Sequence, residues 1–371
     1  MRRLLCLALV PALFAAGCGG AADPSIGAEG TAGDGGSGDG RSVTPSLPWP
    51  LTDFPPLPDI ARDVPEARIE LGNLLFYDPI LSVDRETACA TCHSEFWGMS
   101  DALAVAVGHG AGPLAGPGRA GPNTLRRNSP ALFNVAFRQS LLWDGGATSL
   151  AEQALMPLRA DDELGLDPEA AVAELVAIPK YVALFAEAFP EDPQVTEANL
   201  ASALAAFQRT MVSDRSLYDA YVRGQTDVLH EELIEGMFLF AEMGCSDCHT
   251  PPLFESDTFA DRNVAQVEGV ADEGRAEVTG LMEDVGKFRT PTLRNLFESE
   301  PYFHNGLVKE LEDAVRHELE QSELPFTHED VRLIELFIRD ALRDDSRTAV
   351  RPRSVPSGLP TPLDGPIFPG R

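Results

Sequence analysis

The sequence predicts a mainly α-helical chain folded in two parts, with long loops and little β structure. Three observations predict it. Apolar residues recur at three/four spacing in several segments, alternating strand patterns are few and short, and one cysteine–histidine motif occurs twice, far apart. The two copies are Cys89-Ala90-Thr91-Cys92-His93 and Cys245-Ser246-Asp247-Cys248-His249. Cys-x-x-Cys-His is the attachment signature of a c-type haem. Its two thiols lie three residues apart on a helical turn and reach the two vinyl groups of one porphyrin. The adjacent His then turns beneath the ring as the proximal iron ligand. A zinc site or a pair of disulfides are the competing readings, but zinc ribbons set their Cys pairs about 15–20 residues apart. Here well over a hundred residues intervene. The expectation is two cytochrome c-like haem domains.

Along the chain, Arg2 and Arg3 precede a short apolar run, Leu4 to Ala16, too short to span a membrane. The run ends in Ala15-Ala16-Gly17-Cys18, a pattern similar to a bacterial lipobox. Residues 1–17 are therefore expected to be a lipoprotein signal peptide, with Cys18 the lipidated residue; ordinary signal-peptide cleavage nearby is the alternative. Gly19, where Asp would favour the inner membrane, implies sorting to the outer one. Residues 18–58 carry Gly, Ala, Asp and Ser and then a Pro-rich stretch, the composition of a flexible tether. Residues 59–225 are expected to form the first haem domain, 226–350 the second, and 351–371 a Pro-rich tail.

Helical patterns dominate the body. Leu200, Ala203, Leu204, Phe207 and Met211 mark a helix over 198–211, and residues 232–243 form another leading into the second motif. Thr327-x-x-Asp330 reads as a capping pattern for a helix over 327–342, whose apolar stripe is Val331, Ile334, Phe337, Ile338 and Leu342. Residues 108–122 are Gly/Pro-rich and read as loop.

Composition narrows the function. The 371 residues are 44% hydrophobic and 23% charged, proportions of a soluble globular protein. A net charge of −29 and a pI near 4.5 exclude nucleic acid, whose phosphates would repel the chain. The same charge would steer a basic protein partner. Of six cysteines, Cys6 lies in the leader, Cys18 at the lipobox, and four in the haem motifs, leaving no pair for a structural disulfide.

Residues around the motifs carry a resemblance. They are Leu71-Gly72-Asn73-Leu74-Leu75-Phe76-Tyr77-Asp78-Pro79; Arg127-Asn128-Ser129-Pro130-Ala131-Leu132-Phe133-Asn134; Trp143-Asp144-Gly145 with Ala151-Glu152-Gln153-Ala154; Ala206-Phe207-Gln208-Arg209-Thr210; Lys287-Phe288-Arg289-Thr290-Pro291-Thr292-Leu293-Arg294-Asn295; and Pro301-Tyr302-Phe303-His304-Asn305-Gly306. In this order, over residues 67 to 342, the chain resembles the bacterial dihaem cytochrome c peroxidase/MauG family, which includes MbnH-like members.

The resemblance implies that the haem on His93 reacts with peroxide and the haem on His249 receives or holds the second oxidising equivalent. It makes His109, in Gly108-His109-Gly110, the loop residue that caps the first iron and swings away, and Glu152 the distal acid/base, with a register that could fall on Ala151. The Gln of many peroxidases two residues before the Trp is Leu141 here, with Gln139 nearby. For the second iron the family's distal position, Met or Tyr elsewhere, is Glu318; His317 or Met282 are the alternatives. One Ca²⁺ is implied, with ligands matching Asn128, Ser299 and Pro301. Trp143 and Trp97 are the aromatics nearest the motifs, more simply read as core than as hole carriers.

Three functions compete at this level. The first is a peroxidase reducing hydrogen peroxide with electrons from a small periplasmic cytochrome c or cupredoxin. The second is a MauG/MbnH-like enzyme using peroxide to oxidise a Trp or Tyr on a partner protein. The third is a non-enzymatic electron-transfer cytochrome. All three place the protein in the periplasm or cell envelope, on a membrane by its lipid anchor alone.

Overall fold

The computed structural model describes residues 63–322, 324–346 and 350–365, which fall within one compact unit. The expected leader, Cys18 and the tether lie outside the described residues.

Helices account for most of the regular structure. In the first half they are α1 (Glu66–Tyr77), α2 (Cys89–Cys92), α3 (Leu150–Ala154), α4 (Met156–Arg159), α5 (Pro168–Val176), α6 (Pro179–Ala188) and α7 (Glu197–Gln208). The second half has α8 (Leu217–Val222), α9 (Glu231–Glu242), α10 (Cys245–Cys248), α11 (Ala276–Thr279), α12 (Leu311–Glu320) and α13 (His328–Leu336). The described strands are two residues each: β1 (Leu114–Ala115), β2 (Phe259–Ala260), β3 (Phe288–Arg289) and β4 (Leu363–Asp364). β2 and β3 pair antiparallel, and β1 pairs parallel with β4. The mainly α expectation with little β holds. No described helix is long and apolar enough to cross a membrane.

Two hydrophobic clusters form, each around one helix crossing. In the first, α1 crosses α7 at Gly72: a Cβ there would lie 2.0 Å from Ala203 O and 2.8 Å from Phe207 Cβ. In the second, α9 crosses α13 at Gly236, where a Cβ would lie 2.1 Å from Leu333 O and 3.0 Å from Phe337 Cβ. Glycine is required at both points because two helix backbones approach too closely for any side chain. The first cluster gathers Leu71, Leu75, Leu200, Leu204 and Phe207; the second gathers Leu233, Met237, Phe240, Val331 and Ile334.

The predicted helices match closely. Thr327 Oγ1 accepts from Asp330 N (3.2 Å) while Asp330 Oδ2 accepts from Thr327 N (2.7 Å), the reciprocal cap expected from sequence. The stripe from Val331 to Leu342 is buried throughout, the last turns widening to π geometry over Phe337–Ala341.

The segment 350–365 returns to the first half. Arg351 is bidentate to Asp364 (2.7 and 2.9 Å) and bonded to Glu95 (3.0 Å). Ser357 Oγ donates to the buried Asp78 (2.6 Å), and Val355 enters the first cluster. The Pro-rich composition of this tail gives an extended strap with its own docking, a placement that no local periodicity encodes.

Candidate functional site

Both motifs fold as one helical turn. In α2, Thr91 Oγ1 accepts from Ala88 N (2.9 Å), and His93 N donates to Cys89 O (3.0 Å). In α10, entered through Gly244 at φ +76°, His249 N donates to Cys245 O (2.9 Å). The turn sets the two thiols of each motif, three residues apart, on one side of the helix.

The two imidazoles are held alike. His93 Nδ1 lies 3.0 Å from Met99 O, and His249 Nδ1 lies 3.0 Å from Pro291 O and 3.3 Å from Phe254 O. A carbonyl facing Nδ1 fixes it as the N–H donor and leaves Nε2 with its lone pair, the tautomer of a metal-ligating histidine. Burial pulls both imidazoles down to about 4, so both are neutral at neutral pH. Burial also pushes the Cys89 and Cys245 thiols up to about 12. None of the four motif cysteines is disulfide-bonded. The pairs belong to different clusters and so build no shared tetrahedral zinc site.

Above His249 opens a cavity of about 340 Å³. One face of α12 forms a wall through Leu311, Ala314, Val315, Glu318 and Leu319. The lining is largely apolar, yet it includes three buried polar atoms without a hydrogen-bond partner: Arg289 Nε, Tyr302 Oη and His304 Nε2. Buried polar atoms ordinarily have partners. A haem, with its flat apolar ring and its two propionate carboxylates, suits both the lining and the orphaned groups. The residues of this half therefore fit a covalently attached haem held by Cys245, Cys248 and His249. In the first half Cys89, Cys92 and His93 repeat that donor set.

The structure sorts the other sequence-predicted residues. Glu318 stands on the cavity wall, and its Oε2 accepts from Arg262 Nε (2.7 Å). His317, one position round the helix, instead has Nε2 2.7 Å from Arg262 O and packs edge-on to Phe303. Met282 is 87% exposed and does not line the cavity. Asn128, Ser299 and Pro301 all line it, with Asn128 Nδ2 2.8 Å from Leu103 O and 3.3 Å from Pro301 O. Trp143 lines it too, its Nε1 donating to Asn128 O (2.9 Å) and its ring edge-on to His304 at 6.5 Å. Trp97 is buried in the first half, beside Gly116.

His109 belongs to a tightly docked loop. Its Nε2 lies 3.0 Å from both Asp161 O and Asn123 Nδ2, and its N–H donates to Glu163 O (2.8 Å). Arg119 anchors the loop from within, donating to Val107 O (2.8 Å), Gly108 O (2.6 Å), Leu114 O (2.9 Å) and Thr87 Oγ1 (3.0 Å). Glu152 faces solvent: its Oε2 accepts from Thr148 N (3.0 Å) and Thr148 Oγ1 (3.1 Å), bonds that hold its carboxyl below the usual range. Ala151 packs inward on the first cluster. Leu141 is buried, while Gln139 N donates to Asp257 (3.2 Å).

Sequence reading missed Arg262, Arg119 and Asp101. The last is 1% exposed with Oδ2 unpartnered, and burial pushes its carboxyl up to about 7. Each lies in a loop without periodicity, so nothing local marks it.

Two Cys-x-x-Cys-His turns, each with a half-buried imidazole whose Nδ1 faces a carbonyl and whose Nε2 is left with its lone pair, fit a dihaem c-type cytochrome. Residues 66–227 match the family model described as di-haem cytochrome c peroxidase. The chain is 35% identical to cytochrome c551 peroxidase of Pseudomonas aeruginosa, over 71% of this chain and 76% of that protein. It is 33% identical to the methylamine utilization protein MauG of Methylorubrum extorquens, over 71% of each. Among solved structures it is similar to a MauG-like protein associated with microbial copper homeostasis, at TM-score 0.68 and 25% identity, covering 83% of this chain and 99% of that one. The chain belongs to the dihaem cytochrome c peroxidase/MauG family and is a peroxidase-type oxidoreductase with two haem c groups.

Proposed function

We propose that the chain reduces hydrogen peroxide to water at the haem of the first half, drawing electrons through the haem of the second from a small cytochrome c or cupredoxin. One peroxide, two protons and two electrons become two waters. The observation that carries this reading is the pair of half-buried imidazoles, each with Nδ1 committed to a backbone carbonyl and Nε2 left for iron. Haem held by these residues would supply a redox-active iron.

The protein's own groups then divide the work. Cys89 and Cys92, and Cys245 and Cys248, would tether the two rings, and the two hydrophobic clusters support two haem domains near the expected 59–225 and 226–350, with Tyr218 and Tyr221 joining the second cluster and Val355 the first. Trp143, on the wall of the second cavity, belongs to the first half, and its carbonyl accepts from Arg289 N (2.8 Å). It supports a short route between the rings. His109 reaches iron only by giving up Asp161 O and Asn123, which suits a gate that opens and closes. Glu152 handles protons only if its carboxylate leaves Thr148; as it stands it braces Thr148, the residue before the Ser149 cap of α3. Asn128 and Pro301 support a Ca²⁺ site, because a flip of the Asn128 amide turns its oxygen toward the Pro301 and Leu103 carbonyls, an arrangement that a hard cation would satisfy. The basic–apolar leader supports export to the periplasm or cell envelope, and Cys18 a lipid anchor, to the outer membrane by the Gly at position 19.

Turnover by the purified holoprotein tests the reading. Reduced cytochrome c should be oxidised steadily on adding peroxide, after one electron has been supplied or from the fully oxidised state. Silence in both states would overturn it. One observation favours a second reading, a MauG/MbnH-like oxidation of a partner's Trp or Tyr: Leu141 and Glu318 replace the peroxidase Gln and Met. Its signature is a long-lived oxidised protein after stoichiometric peroxide, with poor donor turnover.

A further inference from the structure

We propose that Arg262 is the positioning residue of the second haem site: it clamps one oxygen of Glu318 so that the other faces the bound iron opposite His249. The inference rests on the reading that Cys245, Cys248 and His249 carry a haem.

Three independent observations support it. First, the helical face of α12 selects Glu318. Leu311, Ala314, Val315, Glu318 and Leu319 line the cavity at spacings of three, four, seven and eight residues, and Glu318 alone of these ionises. Second, the carboxylate is asymmetrically engaged. Arg262 Nε and a terminal guanidinium nitrogen both lie 2.7 Å from Oε2, and no protein donor bonds Oε1 among the described residues. A guanidinium fork fixes an oxygen's direction as well as its charge, which a freely rotating carboxylate lacks. Third, the loop carrying Arg262 is stapled to the same helix. His317 Nε2 lies 2.7 Å from Arg262 O, Arg262 donates to Glu318 O (3.3 Å), and Asn263, at φ +53°, donates from Nδ2 to Gln321 Oε1 (2.8 Å). His317 thus serves the clamp and leaves the cavity to its neighbour.

A carboxylate opposite His stabilises ferric iron more than a thioether does. The cation on its far oxygen withdraws electron density from the donor and limits that stabilisation. Removing Arg262 should therefore lower the potential of one haem, and removing the Glu318 charge should raise it.

The test uses the holoprotein and spectroscopic redox titration, with low-temperature EPR of the oxidised form. A haemochromogen count comes first, and fewer than two haems per chain in the unaltered protein would defeat the haem reading itself. Given two haems, Arg262→Gln should shift one midpoint potential downward and change one haem's EPR signal. Arg262→Lys, which keeps the charge, should fall between Gln and the unaltered protein. Glu318→Gln should shift the same haem upward, and Arg262→Gln added to it should have a smaller effect than it has in the unaltered protein. Two haems with potentials and EPR unmoved by Arg262→Gln and by Glu318→Gln would overturn the proposal. So would an Arg262 effect that persists undiminished in the Glu318→Gln background. Both side chains are about one-third exposed, at 37% and 33%, so neither substitution empties a core.

Discussion

The two halves of the molecule share a proximal scaffold and differ on the opposite side of each haem site. In both, a glycine lets two helices cross within van der Waals reach, a Cys-x-x-Cys turn follows, and a backbone carbonyl fixes the imidazole. Both also continue through Pro-x-Leu-x-Asn, Pro130 to Asn134 and Pro291 to Asn295, with the Asn in the left-handed region at φ 60° and 56°. Beyond that the halves part. The first sets a Gly-rich loop against residues 160–165, pinned by Arg119, and is strapped by residues 350–365. The second sets one face of α12 over a cavity, with a carboxylate held by Arg262. The lesson is that attachment needs a repeated, rigid turn, whereas reactivity is set by whatever the loops bring to the other side.

The largest effect should come from the shared element. His93→Gly should remove peroxide turnover while leaving the second haem's spectrum in place, and His249→Gly should alter the second spectrum instead. Stopped-flow turnover and optical spectra of the two variants read this. Equal loss of both spectra in either variant would erase the asymmetry between the halves.

Next come the crossings. Gly72→Ala or Gly236→Ala drives a methyl into a backbone carbonyl and should cost about 3 kcal/mol or more. That lowers the unfolding midpoint by roughly 5–10 °C in a calorimetric scan. If the halves are built alike, the two losses match within about 1 kcal/mol.

Asp101, a feature of the first half, makes stability pH-dependent. Its folded value near 7 lies above the ordinary 3.8, so the folded protein holds the extra proton between those values. Its burial is costless below about pH 3.8; the cost grows as pH rises and is complete above about pH 7, with an upper bound of about 4 kcal/mol. Asp101→Asn should flatten the fall in thermal midpoint between about pH 5 and pH 7.5. An unchanged slope would mean that the carboxyl is solvated.

The smallest expected change is at Glu152. As a surface brace of Thr148, ahead of the Ser149 cap of α3, it can be replaced by Gln with peroxide turnover within about twofold and little change in the thermal midpoint. A hundredfold loss of rate would instead make it the proton handler that the family resemblance implies.

Much of this was legible beforehand. The helix over 327–342 was readable from its cap and stripe, because both signals are local: a side chain three residues from its partner, and a face repeating every turn. The crossings were not. Nothing in Leu71-Gly72-Asn73 says that Gly72 meets Ala203, since that pairing exists only once two distant helices pack. His109 and Glu152 sit at spacings the family uses, yet their side chains are spent on Asp161, Asn123 and Thr148. Spacing fixes where a residue lies along the chain and leaves its direction open.

The sequence by itself determined the two haem-attachment turns, the mainly helical class and the exclusion of nucleic acid, because a five-residue motif, a helical period and a net charge need no partner to be read. The tertiary structure alone decided that Glu318 rather than His317 or Met282 faces the second cavity, that Arg262 holds it, and that the Pro-rich tail straps the first half. Each of those depends on which surfaces meet after the chain has packed, and a one-residue step around a helix turns a side chain by about 100°, enough to move it from the cavity to its rim.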